Sequence, residues 1–249
     1  MRIKWVAMAG LLVANVAVAD RVLEEVSESY SLDKGASISL DNVNGDVRIE
    51  ASGGREVRLE YAIRGDSEKT LERIKVKISD DPSHLRIETI HKKSGGWWGN
   101  NNGGSVSYYL RVPDDIELRG IDTVNGDIRI EGVGGEVNAE TVNGTIEVSG
   151  LRSDAKLSTV NGTVEAYFDR FEADQRVSIE SVNGRLEVML PEDADVSVKA
   201  ETVNGSLRND FGLEVDKGFV GKDLRGSIGD GSARLTLDTV NGGISIRER

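Results

Sequence analysis

The sequence contains no cysteine in 249 residues. That removes a disulfide framework, a thiolate metal site, a cysteine nucleophile and a lipidated N-terminal Cys in one stroke. Histidine is scarce: His84 and His91 are the only two, and they lack metal-ligand spacing such as H-E-x-x-H. No G-x-S-x-G, P-loop or dinucleotide fingerprint occurs, so no catalytic residue, metal ligand or cofactor is assigned. Beyond the first twenty residues no apolar run approaches the ~20 residues that a spanning helix needs. Basic charge is also in deficit, with 31 Lys and Arg against 43 Asp and Glu, a net of −12. An acidic surface repels nucleic acid and anionic lipid, which argues against both as main partners.

What is present begins with an export pattern. Arg2 and Lys4 precede an apolar run from Trp5 to Val18, and Ala17-Val18-Ala19 forms an A-x-A cleavage site before Asp20. The expectation is a signal peptide over residues 1–19, and an exported mature chain in the periplasm or on the cell surface without a transmembrane segment. Losing Arg2 and Lys4 leaves 29 basic against 43 acidic residues, a net of −14.

The dominant feature is a repeat. Val-Asn-Gly occurs seven times, with its asparagine at Asn44, Asn125, Asn143, Asn161, Asn183, Asn204 and Asn241, and the copies from Asn125 to Asn161 are 18 residues apart. Fixed short periods point to stacked β units before any other fold. Aligned on the asparagine, the residue four before is Leu40, Ile121, Ala139, Leu157, Ile179, Ala200 or Leu237, always apolar. The residues three and five after it are also apolar in every copy except at Asn209. Because a strand alternates its side chains, these columns predict buried sites that recur in each unit.

Each unit therefore reads as strand, Asn-Gly corner, strand. Asn-Gly is equally a hairpin signal, so the alternative is an antiparallel meander closing into a sandwich. Hairpin pairing would set Asp41 against Arg48 but also Glu140 against Glu147, an inconsistent outcome. The constant valine tips the balance toward parallel stacking, with a buried valine row and an asparagine amide ladder up the stack. The predicted fold is all-β, a parallel β-helix-like solenoid built from Val-Asn-Gly repeats, in a single elongated domain over 20–249 with an inserted strand and loop region at about 64–112. Within that region a short helical turn is expected near Asp66 to Glu72, and Ser94 to Ser105 reads as a loop. The stretch after Asn209, to Ser232, reads as Gly-rich and irregular.

Three segments carry a family resemblance: SESYSLDKGASISLDNVNGDVRIEASGGREVRLEY, YYLRVPDDIELRGIDTVNGDIRIEG and GSIGDGSARLTLDTVNGGISI. Together they resemble the bacterial putative-adhesin family of β-strand-repeat proteins, whose function is unknown. The resemblance implies a β-helix-like solenoid with a role at the cell envelope, and it supplies no catalytic residues.

Two candidate binding features follow. Three residues before each asparagine stand Asp41, Asp122, Glu140, Ser158, Glu180, Glu201 and Asp238, six of them acidic. Stacked at roughly 4.8 Å, they form a like-charge row that either binds a cation or basic partner, or simply serves as a solvated face that resists aggregation. Trp97 and Trp98 stand in the loop, where paired indoles either stack on a glycan or partner, or fold back to cover an end of the stack. The expected function is a non-catalytic structural or adhesin-like protein whose partner is an envelope protein or a glycan. A carbohydrate-active enzyme or glycan-binding module on a β-helix is the competing class.

Overall fold

Each Val-Asn-Gly corner carries the chain from one sheet into a second sheet stacked against it. The computed structural model describes residues 14–18, 21–92, 104–217 and 221–249. Among these, two eleven-stranded sheets hold almost all the regular structure. We call the sheet that receives the strand before each corner the leading sheet, and the other the trailing sheet.

The seven units pair in parallel in both sheets, with equivalent residues opposite each other. Asn143 stands between Asn125 and Asn161 in the leading sheet, and Ile146 lies between Ile128 and Val164 in the trailing sheet. The strands flanking a corner lie in different sheets, so the hairpin pairs Asp41 with Arg48 and Glu140 with Glu147 do not form. Antiparallel pairing is confined to the two ends. At one end Ala14–Val18, Arg21–Ser31, Glu56–Gly65 and Ser105–Val112 extend the trailing sheet, while Ile74–Asp81 and His84–His91 extend the leading one. The 64–112 region is thus woven into both sheets, since His84–His91 also pairs in parallel with Ser37–Asp41, and Ser105–Val112 with Val47–Ala51.

Alternation decides what is buried. The column four before the asparagine and the columns three and five after it face the interface between the sheets, each residue at most 7% exposed, with Asn209 again the exception. The second corner of each rung varies in sequence but still sends one apolar side chain inward, as Val133, Leu151 and Phe168 do. Two of the loops that return the chain to the leading sheet are the same turn, with Ile116 N–H on the Pro113 carbonyl and Ala194 N–H on the Pro191 carbonyl.

Two expectations are corrected. The valine of the corner is not buried: Val124, Val182, Val203 and Val240 are 39% to 46% exposed. Residues an odd number apart in a strand face opposite ways, so a valine three after a buried column must point out. The inward neighbour is the residue before it, Asn42, Thr123, Thr141, Thr159, Ser181, Thr202 or Thr239, all buried. Next, the stretch 210–232 is not wholly irregular, because Val215–Lys217 and Lys222–Ile228 are strands that cap the leading sheet. The structure also shows an order that the repeat does not specify: the units do not stack in chain order. Ala233–Asn241 inserts between Arg176–Asn183 and Val196–Asn204, so the Asn204 unit is the outermost rung. At that open end Asn209 bonds the backbone of Leu213 through both side-chain atoms.

Candidate functional site

At the corner, four residues divide the work. The inward threonine hydroxyls bond the carbonyl of the corner glycine one rung away, as Thr141 does to Gly126 at 3.0 Å and Thr202 to Gly242 at 3.0 Å. Ser181 does not repeat this bond, and its buried hydroxyl has no partner among the described residues. Asparagine points outward and bonds the next amide. Asn125 donates to Asn44 at 2.8 Å, Asn143 to Asn125 at 2.9 Å, Asn161 to Asn143 at 2.9 Å and Asn183 to Asn161 at 3.0 Å. Asn241 then donates to Asn183 at 2.9 Å, and Asn204 to Asn241 at 3.0 Å. The seven amides thus form one file that follows spatial rather than chain order. Glycine is demanded by contact: a Cβ on Gly162 would sit 1.9 Å from the Gly144 carbonyl oxygen.

Outward from this file, the leading sheet presents two lanes that run across the strands. The first is acidic. Asp41, Asp122, Glu140, Ser158, Glu180, Asp238 and Glu201 stand in register in that order. Sequence alignment of the repeats missed three more members, because they belong to strands without a corner: Glu88 beside Asp41, then Asp223 beside Glu201 and Asp216 beyond it. Only alternation within the capping strands could have placed them. The second lane is the exposed valine column, two residues further along each strand.

Burial first, and like-charge neighbours second, act on the carboxyls of the acidic lane. Partial burial, with Asp41 and Glu140 on either side, pushes Asp122 up to about 6. Burial also raises Asp238, opposed by nearby Lys199 and reinforced by Glu201 and Glu180. Glu201 goes the other way, lowered by the ammonium of Lys199 at 3.0 Å and by Arg225 at 3.2 Å. Asp41 has its own cation in Arg86, at 3.0 Å. Compensation is therefore local, leaving the middle of the lane without an ion-pair partner among the described residues.

Other candidate chemistry is sparse. No group of three or more His, Asp or Glu side chains with metal-holding geometry is found among the described residues. Both ring nitrogens of His84 contact serine hydroxyls, Ser37 at 2.8 Å and Ser39 at 3.1 Å, rather than a carboxylate that would orient it as a base. Burial lowers His91, whose Nε2 is unpartnered among the described residues. Trp97 and Trp98 lie outside the described residues. No helix among the described residues is long and apolar enough to cross a membrane.

These features define an all-β protein of two long, largely parallel sheets joined at repeated corners. Residues 117–247, more than half of the chain, match the Toastrack family DUF4097, and the chain belongs to that family. It is similar to several solved structures. A putative cell adhesion protein from Clostridium sporogenes is 14% identical, with 90% of this chain and 99% of that one covered and a TM-score of 0.49. A putative adhesin from Bacteroides fragilis is 15% identical, covering 90% and 97% with a TM-score of 0.38. A putative lipid binding protein from Parabacteroides distasonis is 12% identical, covering 90% and 96% with a TM-score of 0.30. The comparison with curated proteins gives no match.

Proposed function

We propose that this chain is an exported, non-catalytic protein of the cell envelope, a solenoid of Val-Asn-Gly rungs that serves as a scaffold or adhesin-like binding surface. The observation that carries the reading is the uniformity of the leading sheet's outer face. Acid, valine and asparagine recur there rung after rung, whereas an active site is a local departure from a repeat. The seven asparagines fit a structural role in this reading, as the file that holds successive corners together. The acidic lane is the surface on offer to a partner, an envelope protein or a glycan.

Export rests on the leader pattern of Arg2, Lys4 and the apolar run to Val18. In the uncleaved chain Ala14–Val18 pairs with the edge strand Arg21–Ser31. Cleavage after Ala19 leaves Arg21–Ser31 as the edge, carrying Glu24, Glu25 and Glu28, charges that discourage pairing with another chain. Cell fractionation with N-terminal sequencing tests the proposal. A mature chain that begins at Asp20 and lies outside the cytoplasm is the expected result; an intact Met1 chain in the cytoplasm would overturn it.

A further inference from the structure

The two outer faces of the molecule satisfy their side chains differently. On the trailing sheet the outward charges pair with each other: Arg48 lies against Glu50 and Glu131, Arg129 against Glu131 and Glu147, and Arg247 against Glu187. On the leading sheet the ion pairs lie toward the ends, Arg86 with Asp41, Arg119 with Glu117, and Lys199 and Arg225 with Glu201, so that the strands of Glu140, Ser158 and Glu180 have none among the described residues. This sheet also carries every large hydrophobic that stands exposed among the described residues. These are Ile90, Val124, Val182, Val203 and Val240, each 37% to 46% exposed. Exposed aliphatics scattered singly need no explanation, but these five share one lane. Ile90 joins it because it stands two residues beyond Glu88, as each valine stands two beyond its acid.

Where the lanes are best formed, they border an open groove of about 840 Å³ that includes Val182, Val203, Val240, Glu180 and Asp238, with the cations Lys222 and Arg225 confined to its Glu201 end, where they bond the Gly205 carbonyl and Glu201. A surface that is apolar along one line and anionic along the next calls for an occupant with the complementary pair of stripes. Resting on the binding role proposed above, we propose that this face docks a cationic amphipathic helix of a partner polypeptide, its apolar stripe on the valine lane and its lysines or arginines over the acidic lane.

Charge and geometry select this occupant over the others. A second copy of this chain, with a net charge of −12, would bring acid against acid. An anionic membrane is repelled for the same reason. A neutral sugar would cover the carboxylates without compensating them, at the cost of desolvating charge. A cation over Asp122 or Asp238 instead favours the charged form that partial burial and, secondarily, neighbouring carboxylates disfavour there. The dimensions agree as well. The eight strands from that of Ile90 to that of Val203, at ~4.8 Å, give a lane of about 34 Å, the length of about 22 residues of α-helix at 1.5 Å each. Adjacent lanes are about 6.6 Å apart, two residues of strand, within reach of a lysine flanking an apolar stripe.

A synthetic helix of about 22 residues, leucine on one face and lysine beside it, titrated calorimetrically into the full chain, tests the inference. Saturable binding is expected, absent for the same peptide with glutamate in place of lysine and absent for a scrambled leucine-lysine peptide without the stripe. Val182→Ser with Val240→Ser should weaken it at least tenfold, and Glu180→Gln with Asp238→Asn comparably. Both changes are on exposed or half-buried side chains, and an unchanged circular dichroism spectrum confirms folding. No binding, equal binding of the scrambled peptide, or full affinity in the Val182→Ser/Val240→Ser variant would each overturn the proposal. The envelope reading would survive those outcomes, since fractionation decides it separately.

Discussion

At the scale of single residues, the corner assigns one task to each position. Threonine satisfies a carbonyl inside, valine faces solvent, asparagine files with its neighbours and glycine admits the next rung. The glycine is the least replaceable. In Gly162→Ala the new Cβ would meet backbone oxygen at 1.9 Å, and no rotamer can relieve a backbone contact. We expect a loss of about 3 kcal/mol in urea unfolding, from rungs forced apart. Asp122 makes the opposite prediction. Its native pKa, pushed up to about 6, exceeds the ordinary 3.8, so the folded state binds the proton more tightly than the unfolded chain. Its charge therefore penalises folding, with the penalty growing as pH rises from about 4 and complete above about 6. Asp122→Asn should raise the Tm at pH 7.5, and the gain should vanish near pH 3.5. Thermal melts of both proteins across that range check it; a gain that is constant with pH would contradict the assignment.

At the scale of elements, the legible part of the fold was whatever alternation and repetition jointly determine. Ile128, Ile146, Val164 and Leu186 fall in one column and are all buried. The valine went wrong because repetition alone does not say which face a column occupies. The threonine column beside it held the answer, as a short polar residue is what a corner can bury against a carbonyl. The acidic lane's outer members were illegible because Glu88 and Asp223 join it through pairing, which leaves no local mark on the sequence. A rung is also a removable element. Deleting residues 144–161 joins Asn143 to Gly162 and restores a Val-Asn-Gly corner, with every remaining column in phase. That variant should fold and melt cooperatively. Deleting 144–152 alone removes a trailing strand without its partner and should abolish cooperative melting, as followed by circular dichroism.

At the scale of the whole molecule, an open stack needs ends. One is closed by antiparallel strands in both sheets, and the other by the three-residue strand Leu207–Asn209 together with the strands Val215–Lys217 and Lys222–Ile228. Short or charged edge strands of this kind discourage end-to-end growth. The price of that second cap is the exchanged order of the last two units. The chain leaves the Asn183 rung, builds the outermost rung at Asn204, caps it, and returns to fill the gap with Asn241. No sequence feature announces this, since any unit can pair with any other through the same columns.

The central claim is that equivalent corners stand directly beside one another in the order Asn183, Asn241, Asn204, and the absence of native cysteine allows a direct test. Adjacent rungs place equivalent Cα atoms ~4.8 Å apart, within disulfide range, whereas rungs two apart stand at ~9.6 Å, beyond it. Under mild oxidation Val182→Cys/Val240→Cys should close a disulfide in the folded protein while Val182→Cys/Val203→Cys stays reduced. Closure of the second pair and not the first would mean that the rungs stack in chain order, and would contradict the account.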